Sequence, residues 1–338
     1  MRMLLVGDVM LGRLVNQRLR REAPEYPWGD TLRVLRQADV RICNLECVIS
    51  DGGTPWTATP KVFHFRSDAR NVAVLQAANI QAVSLANNHA LDYGYDALLD
   101  MIGILDTAGI QHAGAGRTLE EASRAAIIET DGGRTGMLAF TDNEPDWAAT
   151  PYDPGIWHVP VDIHDERAIL LLDQVRQVRE QVDLLIVSAH WGPNWSYRPP
   201  TSQASFAHAL INAGADIIFG HSGHVLRGVE WYRARPVLYC AGDFIDDYAI
   251  DAVERNDESS IFCLEMDGRD VRRILAYPTI IRESQARLAR GDDADRIALL
   301  LQRLCAGLRT SATWDATSAT LTLDCPAPAS HPESHSRT

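Results

Sequence analysis

Short apolar segments, each ending in a few small or polar residues, constrain the fold of this chain more than any other feature of its sequence. They alternate with longer amphipathic segments, a pattern typical of layered α/β proteins. The sequence predicts strands over 3–7, 40–44, 82–86, 135–140, 184–189, 217–219, 236–240 and 260–266. It predicts helices over 14–21, 95–108, 119–125, 166–181 and 203–213, and a helical segment over 280–308. In such folds, reactive groups gather at the carboxyl ends of the strands.

The residues that end these strands are rich in types that bind metals and transfer protons. His221 and His224 follow the apolar run 215–219, and the small residues around them allow a sharp turn that aims both imidazoles at one point. Similar groups end four other predicted strands, at Asp8, Asn44 to Glu46, Asn87 to His89, and His190. Together the five groups predict one metal site that holds one or two ions.

Each of these side chains also has an ordinary structural interpretation. Asp8 could cap the helix that follows it, and Glu46 could form a surface ion pair. Asn88 and His89 could belong only to a turn, and His190 could be a buried imidazole with satisfied hydrogen bonds. The recurrence of such groups at five strand ends favours the functional interpretation for the set as a whole.

Further residues have the chemistry of acid/base and substrate contacts. Asp92 lies three residues after His89, where it would orient the imidazole and raise its basicity. His224 is predicted to pair with a carboxylate of the acidic loop 243–247, for example Asp246 or Asp247, although this loop could simply be solvated. The aromatic residues of one rigid loop are candidate substrate contacts, with core packing as the alternative: Trp191, Trp195 and Tyr197. Arg13 is a further candidate, with an ordinary surface position as its alternative.

Composition limits the classes of protein that this chain can belong to. Its net charge of −13 argues against a nucleic-acid-binding surface, which would need a basic patch. Lys61 is its single lysine, and high-GC coding bias accounts for the preference for arginine. The six cysteines form no CxxC pair and are predicted to be reduced thiols. No segment reaches the length of a membrane span, so we expect a cytoplasmic protein with one domain over 1–310 and a disordered tail over 325–338.

The ordered series of motifs resembles that of the CapA (poly-γ-glutamate capsule biosynthesis) family, whose fold is that of the calcineurin-like metallophosphoesterases. The motifs are, in order, GDVMLGR, NLE, FHF, LANNHALDYG, HWG, GHSGHVLRGVEWY and AGDF, within residues 3–265. The resemblance implies a four-layer α-β-β-α sandwich with metal-binding loops at one edge of two packed sheets. It also implies that His89 is a catalytic histidine and that the metal ligands are Asp8, Glu46, Asn88, His190, His221 and His224.

Three departures from the phosphoesterase pattern change the expected metal. Met10 stands where that pattern has a histidine, Glu46 replaces the usual bridging aspartate, and the paired histidines at 221 and 224 are three residues apart instead of two. Loss of one imidazole leaves a ligand set richer in oxygen, which favours a hard ion. We therefore expect Ca²⁺, Mg²⁺ or Mn²⁺ in preference to Zn²⁺.

Three functions are compatible with this sequence. The chain is similar to CapA-like enzymes of lasso-peptide biosynthesis that epimerise a peptide Cα, a reaction that needs two acid/base groups and an electrophile. His89 with Asp92, His224 with Asp246, and a hard ion would supply these groups for a peptide substrate. The alternatives are a metal-dependent hydrolase of phosphoester or γ-glutamyl amide bonds, and a non-catalytic binding protein stabilised by metal. The sequence predicts no nucleic-acid or membrane partner and leaves the oligomeric state open.

Overall fold

The structure, a computed structural model, describes residues 1–326. In chain order its strands are β1 (Arg2–Val9), β2 (Val40–Leu45), β3 (Val48–Ile49), β4 (Arg66–Ser67), β5 (Ala82–Ser84), β6 (Gln111–Ala113), β7 (Ala115–Gly116), β8 (Ala126–Thr130), β9 (Gly133–Thr141), β10 (Gly155–Ile156), β11 (Leu184–His190), β12 (Ile217–His221), β13 (Val229–Tyr232), β14 (Arg235–Leu238), β15 (Asp243–Ile245), β16 (Glu258–Asp267), β17 (Asp270–Arg282), β18 (Gln285–Leu288), β19 (Thr313–Asp315) and β20 (Thr320–Asp324).

The helices are fewer and lie between the strands. They are α1 (Arg13–Leu19), α2 (Leu32–Leu35), α3 (Val72–Ala77), α4 (Gly94–Ala108), α5 (Leu119–Ala122), α6 (Glu166–Arg179), α7 (Thr201–Ala213) and α8 (Asp292–Gly307). Their ends follow local chemistry: the Asp165 side chain caps α6 by accepting a hydrogen bond from the Arg167 backbone, and α4 ends at Gly109 in the left-handed conformation.

Two large sheets form the centre of the molecule. One runs in the order β19-β20-β17-β16-β1-β2-β5-β6, with β15 beside β1 and β18 beside β17. The other runs in the order β13-β14-β12-β11-β9-β8. Strands β1, β2, β5 and β6 are parallel to one another, and so are β9, β11, β12 and β14. Their carboxyl ends therefore gather at one edge of each sheet.

The core is divided into three apolar layers, as the alternation of side chains along the strands requires. Met3 and Leu5 of β1 pack between the sheets with Ile186 and Phe219, whereas Leu4 and Val6 point to the other face. That outer face is covered by α3 and α4, and the outer face of the second sheet is covered by α6 and α7. The predicted four-layer α-β-β-α sandwich is therefore confirmed.

The carboxyl-terminal part differs from the prediction. The range 280–308 is not one helical segment, because β17 continues to Arg282 and β18 follows before α8 begins. The chain also remains folded beyond 310, since β19 and β20 extend the first sheet through pairing with β17. Alternation in these short strands is too brief to distinguish from a helical pattern. Of the tail predicted over 325–338, only 325 and 326 lie among the described residues.

Two further findings concern the remaining predictions. Among the described residues, no helix combines the length and the apolar character that a membrane crossing needs. All six cysteines are free thiols, and five of them are buried. The cytoplasmic location stays a prediction.

Candidate metal centre and its cavity

The strands of the first sheet place a row of buried carboxylates at its carboxyl edge. Parallel pairing places Asp8 of β1 beside Asn44 of β2 on one side and Asp243 of β15 on the other. Asn44 Nδ2 donates to Asp8 Oδ1 at 2.8 Å and to Glu46 Oε2 at 3.3 Å. The remaining oxygens, Asp8 Oδ2, Glu46 Oε1 and Asp243 Oδ2, are buried without a hydrogen-bond donor. Gly7 permits this arrangement, since a Cβ there would collide with the carbonyl oxygen of Gly242.

The strands of the second sheet place two imidazoles beside these carboxylates. His190 ends β11 and His221 ends β12, and the two residues are direct neighbours in the parallel ladder. Their Nδ1 atoms lie 2.9 Å apart, and Ser188 Oγ lies 2.8 Å from His221 Nε2. His221 Nδ1 lies 3.9 Å from Asp8 Oδ1, so the two sheets meet at these side chains.

The residues present fit a divalent cation. Ligand atoms of Asp8, His190 and His221 lie within 4.8 Å of one another, and so do those of Asp8, Glu46 and His224. Asn88 adds a buried Oδ1 that has no donor, as a metal-facing amide oxygen would. The undonated carboxylate oxygens of Asp8 and Glu46 need a cation or a proton, because a buried anion without a partner is destabilising. Asp8 belongs to both groups, so it would bridge if two ions were held.

Two structural alternatives are ruled out for these carboxylates. Helix α1 is capped at Gly12 and receives no side-chain hydrogen bond there, so Asp8 is not its cap. Glu46 is fully buried and therefore does not form a surface ion pair.

Burial opposes charge throughout this centre. Loss of hydration raises the pKa of Asp8 to about 6 and, together with the neighbouring Asp8 charge, raises the pKa of Glu46 well above its usual value. Burial, reinforced by Asp246, also raises the pKa of Asp243. The same effect lowers the pKa of His221 to about 3 and also lowers the pKa of His190 well below its usual value, with the neighbouring His221 adding to that shift. Neutral imidazoles are the form that binds metals.

The metal-free protein is expected to lose stability as the pH rises above about 7.5, where unfolded histidines have released their protons. Because the pKa values of Glu46 and Asp243 are raised by folding, the folded state retains protons that the unfolded chain has lost. Such a carboxyl stabilises the fold below its unfolded pKa, and the contribution disappears as the pH rises through the folded pKa. The buried histidines, whose pKa values are lowered, oppose this up to about pH 7.5, because unfolded histidines still bind protons there. The slope is about 1.4 kcal/mol per pH unit for each excess proton.

Urea unfolding at about pH 7.5, 8.0 and 8.5 measures this effect. With chelator present, the free energy of unfolding should fall across the series. With saturating Mn²⁺ the fall should disappear, because metal binding needs the deprotonated ligands. A metal-free protein that keeps or gains stability over this range would contradict the expectation.

His89 and Asp92 form the first imidazole–carboxylate pair beside the centre. His89 Nδ1 lies 2.6 Å from Asp92 Oδ2, which also accepts a hydrogen bond from the Phe65 backbone at 2.6 Å. Burial lowers the pKa of His89, and the charge of Asp92 partly offsets this shift. Because His89 Nδ1 is bonded to Asp92, Nε2 is the ring nitrogen that can exchange a proton. His89 Nε2 lies 4.0 Å from Glu46 Oε1.

His224 forms the second pair, with a carboxylate that the sequence did not single out. Its Nδ1 lies 2.8 Å from Asp243 Oδ1, and burial lowers its pKa to about 3. The predicted partner Asp246 instead accepts a hydrogen bond from the Tyr248 backbone, and burial raises its pKa to about 6. Asp243 reaches the ring because β15 pairs with β1, a long-range contact that spacing within the loop does not reveal. His224 also has a left-handed backbone (φ 57°), a strain often found at functional sites.

Both imidazoles line one cavity of about 480 Å³. Phe65 and Tyr248 lie between the rings: Phe65 packs against His89 at 4.4 Å and Tyr248 against His224 at 5.4 Å, centroid to centroid. Other lining residues include Arg13, Lys61, Phe63, Asn88, Glu144 and Trp195. Two of the four predicted substrate contacts, Arg13 and Trp195, therefore lie at this cavity.

The other two predicted substrate contacts lie elsewhere. Trp191 is fully buried, where its indole donates to the Tyr239 carbonyl at 3.0 Å, so the core-packing alternative applies to it. Tyr197 does not line the cavity; its hydroxyl bonds to the backbone of Val253 and Arg255. Aromatic residues in one short loop point to different sides, and sequence spacing in an irregular loop does not predict which.

Arg227 is a further residue that sequence reasoning did not identify. It is fully buried, and its guanidinium donates to the carbonyls of Pro193, Trp195 and Ser196 at 2.8 to 3.0 Å. These bonds hold the loop that carries Trp195 over the cavity. No sequence signal distinguishes it from the other arginines.

Replacing Arg227 by methionine is therefore expected to loosen this loop and to destabilise the protein by about 2–4 kcal/mol, because several buried carbonyls lose their donors. Urea unfolding and limited proteolysis of the 193–197 loop would measure both effects. Unchanged stability and unchanged cleavage would contradict the role. Arg117→Met, at an exposed ion pair, is the matched control and should change stability by less than about 0.5 kcal/mol.

The sandwich, with carboxylates from one sheet and imidazoles from the other at a shared edge, defines a calcineurin-like metallophosphoesterase fold. The chain belongs to the family described as "Bacterial capsule synthesis protein PGA_cap", whose model matches residues 2–248. The resemblance to CapA is thereby confirmed at the level of the family.

Relatives and solved structures show what the chain is similar to. It is 34% identical over 333 residues to a "probable polyglutamine synthesis accessory protein" of Mycobacterium tuberculosis, covering 86% of this chain and 87% of the relative. It is 30% identical over 251 residues to the "capsule biosynthesis protein CapA" of Bacillus anthracis, covering 72% and 59%. Similar solved structures include a hypothetical protein from Thermus thermophilus (TM-score 0.48, 16% identity, 82% of this chain and 98% of that one) and a phosphatase from Mycoplasma pneumoniae (TM-score 0.47, 11% identity, 85% and 90%).

Proposed function

We propose that this protein is a metal-dependent enzyme that epimerises a peptide residue at Cα, from L to D, in a ribosomally made precursor of the lasso type. The observation that carries the proposal is the presence of two separate imidazole–carboxylate pairs, His89–Asp92 and His224–Asp243, whose imidazoles line one cavity. Inversion at a carbon needs one group to remove the proton and another to return it from the opposite face. Burial favours the neutral form of both rings, so either can accept a proton first.

Each side chain then has a defined task. One imidazole takes the Cα proton, and the other takes up a proton from solvent and donates it to the opposite face; the first ring then releases its proton to solvent. Asp92 and Asp243 hold the ring tautomers. The ligands proposed for the ion are Asp8, Glu46, Asn88, His190 and His221, and His224 is either a further ligand or the second acid/base group. A divalent ion bound there would supply positive charge for the enolate oxygen that forms when Cα loses its proton.

The rim of the cavity supports a peptide substrate. Three large apolar side chains line the cavity and are well exposed: Val62 (85%), Phe63 (54%) and Trp195 (38%). Exposed apolar clusters of this kind mark binding surfaces for apolar groups. The two basic side chains that line the cavity are already paired, Arg13 with Asp247 and Lys61 with Asp92 and Glu144. With a net charge of −13, this surface suits an apolar peptide better than a polyanion.

Incubation of candidate peptides in D₂O with Mn²⁺ tests the proposal. Incorporation of one deuterium at Cα without chain cleavage, together with the D epimer on chiral analysis, is the expected result. Release of phosphate or glutamate without exchange would refute epimerisation. The metal-free protein serves as the control and should give neither product.

A hydrolase of phosphoester or γ-glutamyl amide bonds is the second candidate. It is favoured by the two overlapping ligand groups that share Asp8, since two bridged ions activate water in many hydrolases. The names of the relatives, which refer to polyglutamine and capsule synthesis, are compatible with a γ-glutamyl substrate. The product analysis described above distinguishes the two reactions.

A further inference from the structure

Lys61 is the only lysine among the 338 residues, whereas the chain has 31 arginines. It is also among the least exposed of the cationic side chains, at 7%. Coding bias explains the many arginines, but it does not explain why this one position carries a lysine. The surroundings of Lys61 supply a physical reason.

The ammonium joins three separate segments of the chain at the edge of the cavity. Nζ donates to the Asn88 backbone carbonyl at 2.6 Å and lies 3.4 Å from Asp92 Oδ1. It also lies 3.3 Å from Glu144 Oε1, in the loop that follows β9 of the second sheet, and 4.7 Å from the centre of the Trp147 ring. Lys61 thus connects the turn that carries Asn88 and His89 to the opposite sheet.

These contacts act on both functional groups of that turn. Asp92 is fully buried, and its Oδ2 already bonds to His89 and to the Phe65 backbone, so Lys61 is the cation that faces its other oxygen. A buried carboxylate without a nearby cation is destabilised, so loss of Lys61 would disturb the side chain that holds the imidazole. The bond to the Asn88 carbonyl fixes the peptide from which the undonated Oδ1 of Asn88 projects.

An arginine could not make the same set of contacts. An ammonium is a compact charge with three donors that point in tetrahedral directions, which suits one carbonyl and two carboxylates around a single atom. A guanidinium is planar and larger, and its donors spread over a fork suited to one carboxylate. Its planar fork cannot direct donors from a single atom at the Asn88 carbonyl and at both carboxylates.

We propose that Lys61 is a positioning residue of the centre, which holds Asn88 toward the bound ion and anchors Asp92 as the partner of His89. Glu144 is its outer counter-ion, 29% exposed, in a left-handed backbone conformation (φ 51°) at the cavity wall. The inference rests on the function proposed for His89 and Asn88, but it can be tested separately from the reaction.

Mn²⁺ titration of the metal-free protein, followed by the EPR signal of free Mn²⁺, is the readout that does not depend on turnover. Lys61→Met should weaken Mn²⁺ binding by about 10-fold or more, as loss of a residue that orients a metal ligand does. Lys61→Arg should remain impaired, because charge alone does not restore the geometry. Arg66→Met is the matched control: Arg66 lies in the same segment, donates to Gly52 and covers the Tyr93 ring, but does not line the cavity.

Chemical rescue separates positioning from a merely structural role. Lys61→Ala lacks a propylammonium group, so added propylammonium should restore Mn²⁺ affinity and turnover at least about fivefold, while the same salt leaves wild-type protein unchanged. Wild-type Mn²⁺ affinity in Lys61→Met, full recovery in Lys61→Arg, or lack of rescue in a folded Lys61→Ala would each overturn the proposal. If the wild-type protein shows neither exchange nor hydrolysis, the proposed function fails, while the Mn²⁺ titrations still decide the role of Lys61.

Discussion

Replacing Asp8 by asparagine is expected to abolish divalent-cation binding and, at the same time, to stabilise the metal-free protein. Asp8 belongs to both groups of candidate ligands, so affinity for Mn²⁺ should fall by at least about 100-fold. Asp8 Oδ2 receives no hydrogen bond, and the charge of Asp8 raises the pKa of the neighbouring Glu46. Replacing this carboxylate by an amide therefore removes a buried charge from a crowded group of acidic side chains. We expect a gain of about 1–2 kcal/mol in the free energy of unfolding without metal.

The same substitution at a buried aspartate outside the centre is the matched control. Asp216 is 2% exposed but pairs with Arg179 and Arg235. Asp216→Asn should therefore lose stability, by about 1–3 kcal/mol, and keep its affinity for Mn²⁺. Mn²⁺ titration and urea unfolding of both variants measure these effects. If Asp8→Asn binds Mn²⁺ like the wild type, the centre described here is not the metal site.

Replacing His89 or His224 by glutamine is expected to lower the rate of epimerisation by about 10²–10⁴-fold. If the two rings serve opposite faces of Cα, each variant should still exchange the Cα proton of one epimer without inverting it, and the two variants should differ in which epimer exchanges. Deuterium incorporation from the separate L and D peptides, measured by mass spectrometry with chiral analysis, tests this directly. Inversion that persists in both variants would contradict a mechanism with two acid/base groups.

His112 is the control for this pair of substitutions. It faces Asp106 at 3.1 Å, as His89 faces Asp92, but it lies outside the cavity, so His112→Gln should leave both rates unchanged. Mn²⁺ titration of His224→Gln also decides between the two roles of this ring. An unchanged affinity would assign His224 to the substrate, and a clear loss would assign it to the ion.

Local patterns predicted the elements that are regular and long enough to repeat. Helices α4, α6 and α7 and strands β11 and β16 lie close to their predicted ranges, because each has several turns or alternations of apolar residues. The pairing of His89 with Asp92 was also visible in the sequence, since both residues lie on one turn, three positions apart. Short strands such as β18 and β19 contain too few residues for such a pattern.

The order of apolar segments along the chain was enough to predict that polar residues stand at the ends of buried strands, since that order and the position of each polar group are local properties. Which of these groups meet depends on how the strands pair and how the sheets pack. Strand pairing placed Asp243, not Asp246, beside His224, and the packing of the two sheets placed Lys61 against Glu144. Contacts of this kind depend on register and layer packing between distant segments, and no local spacing encodes them.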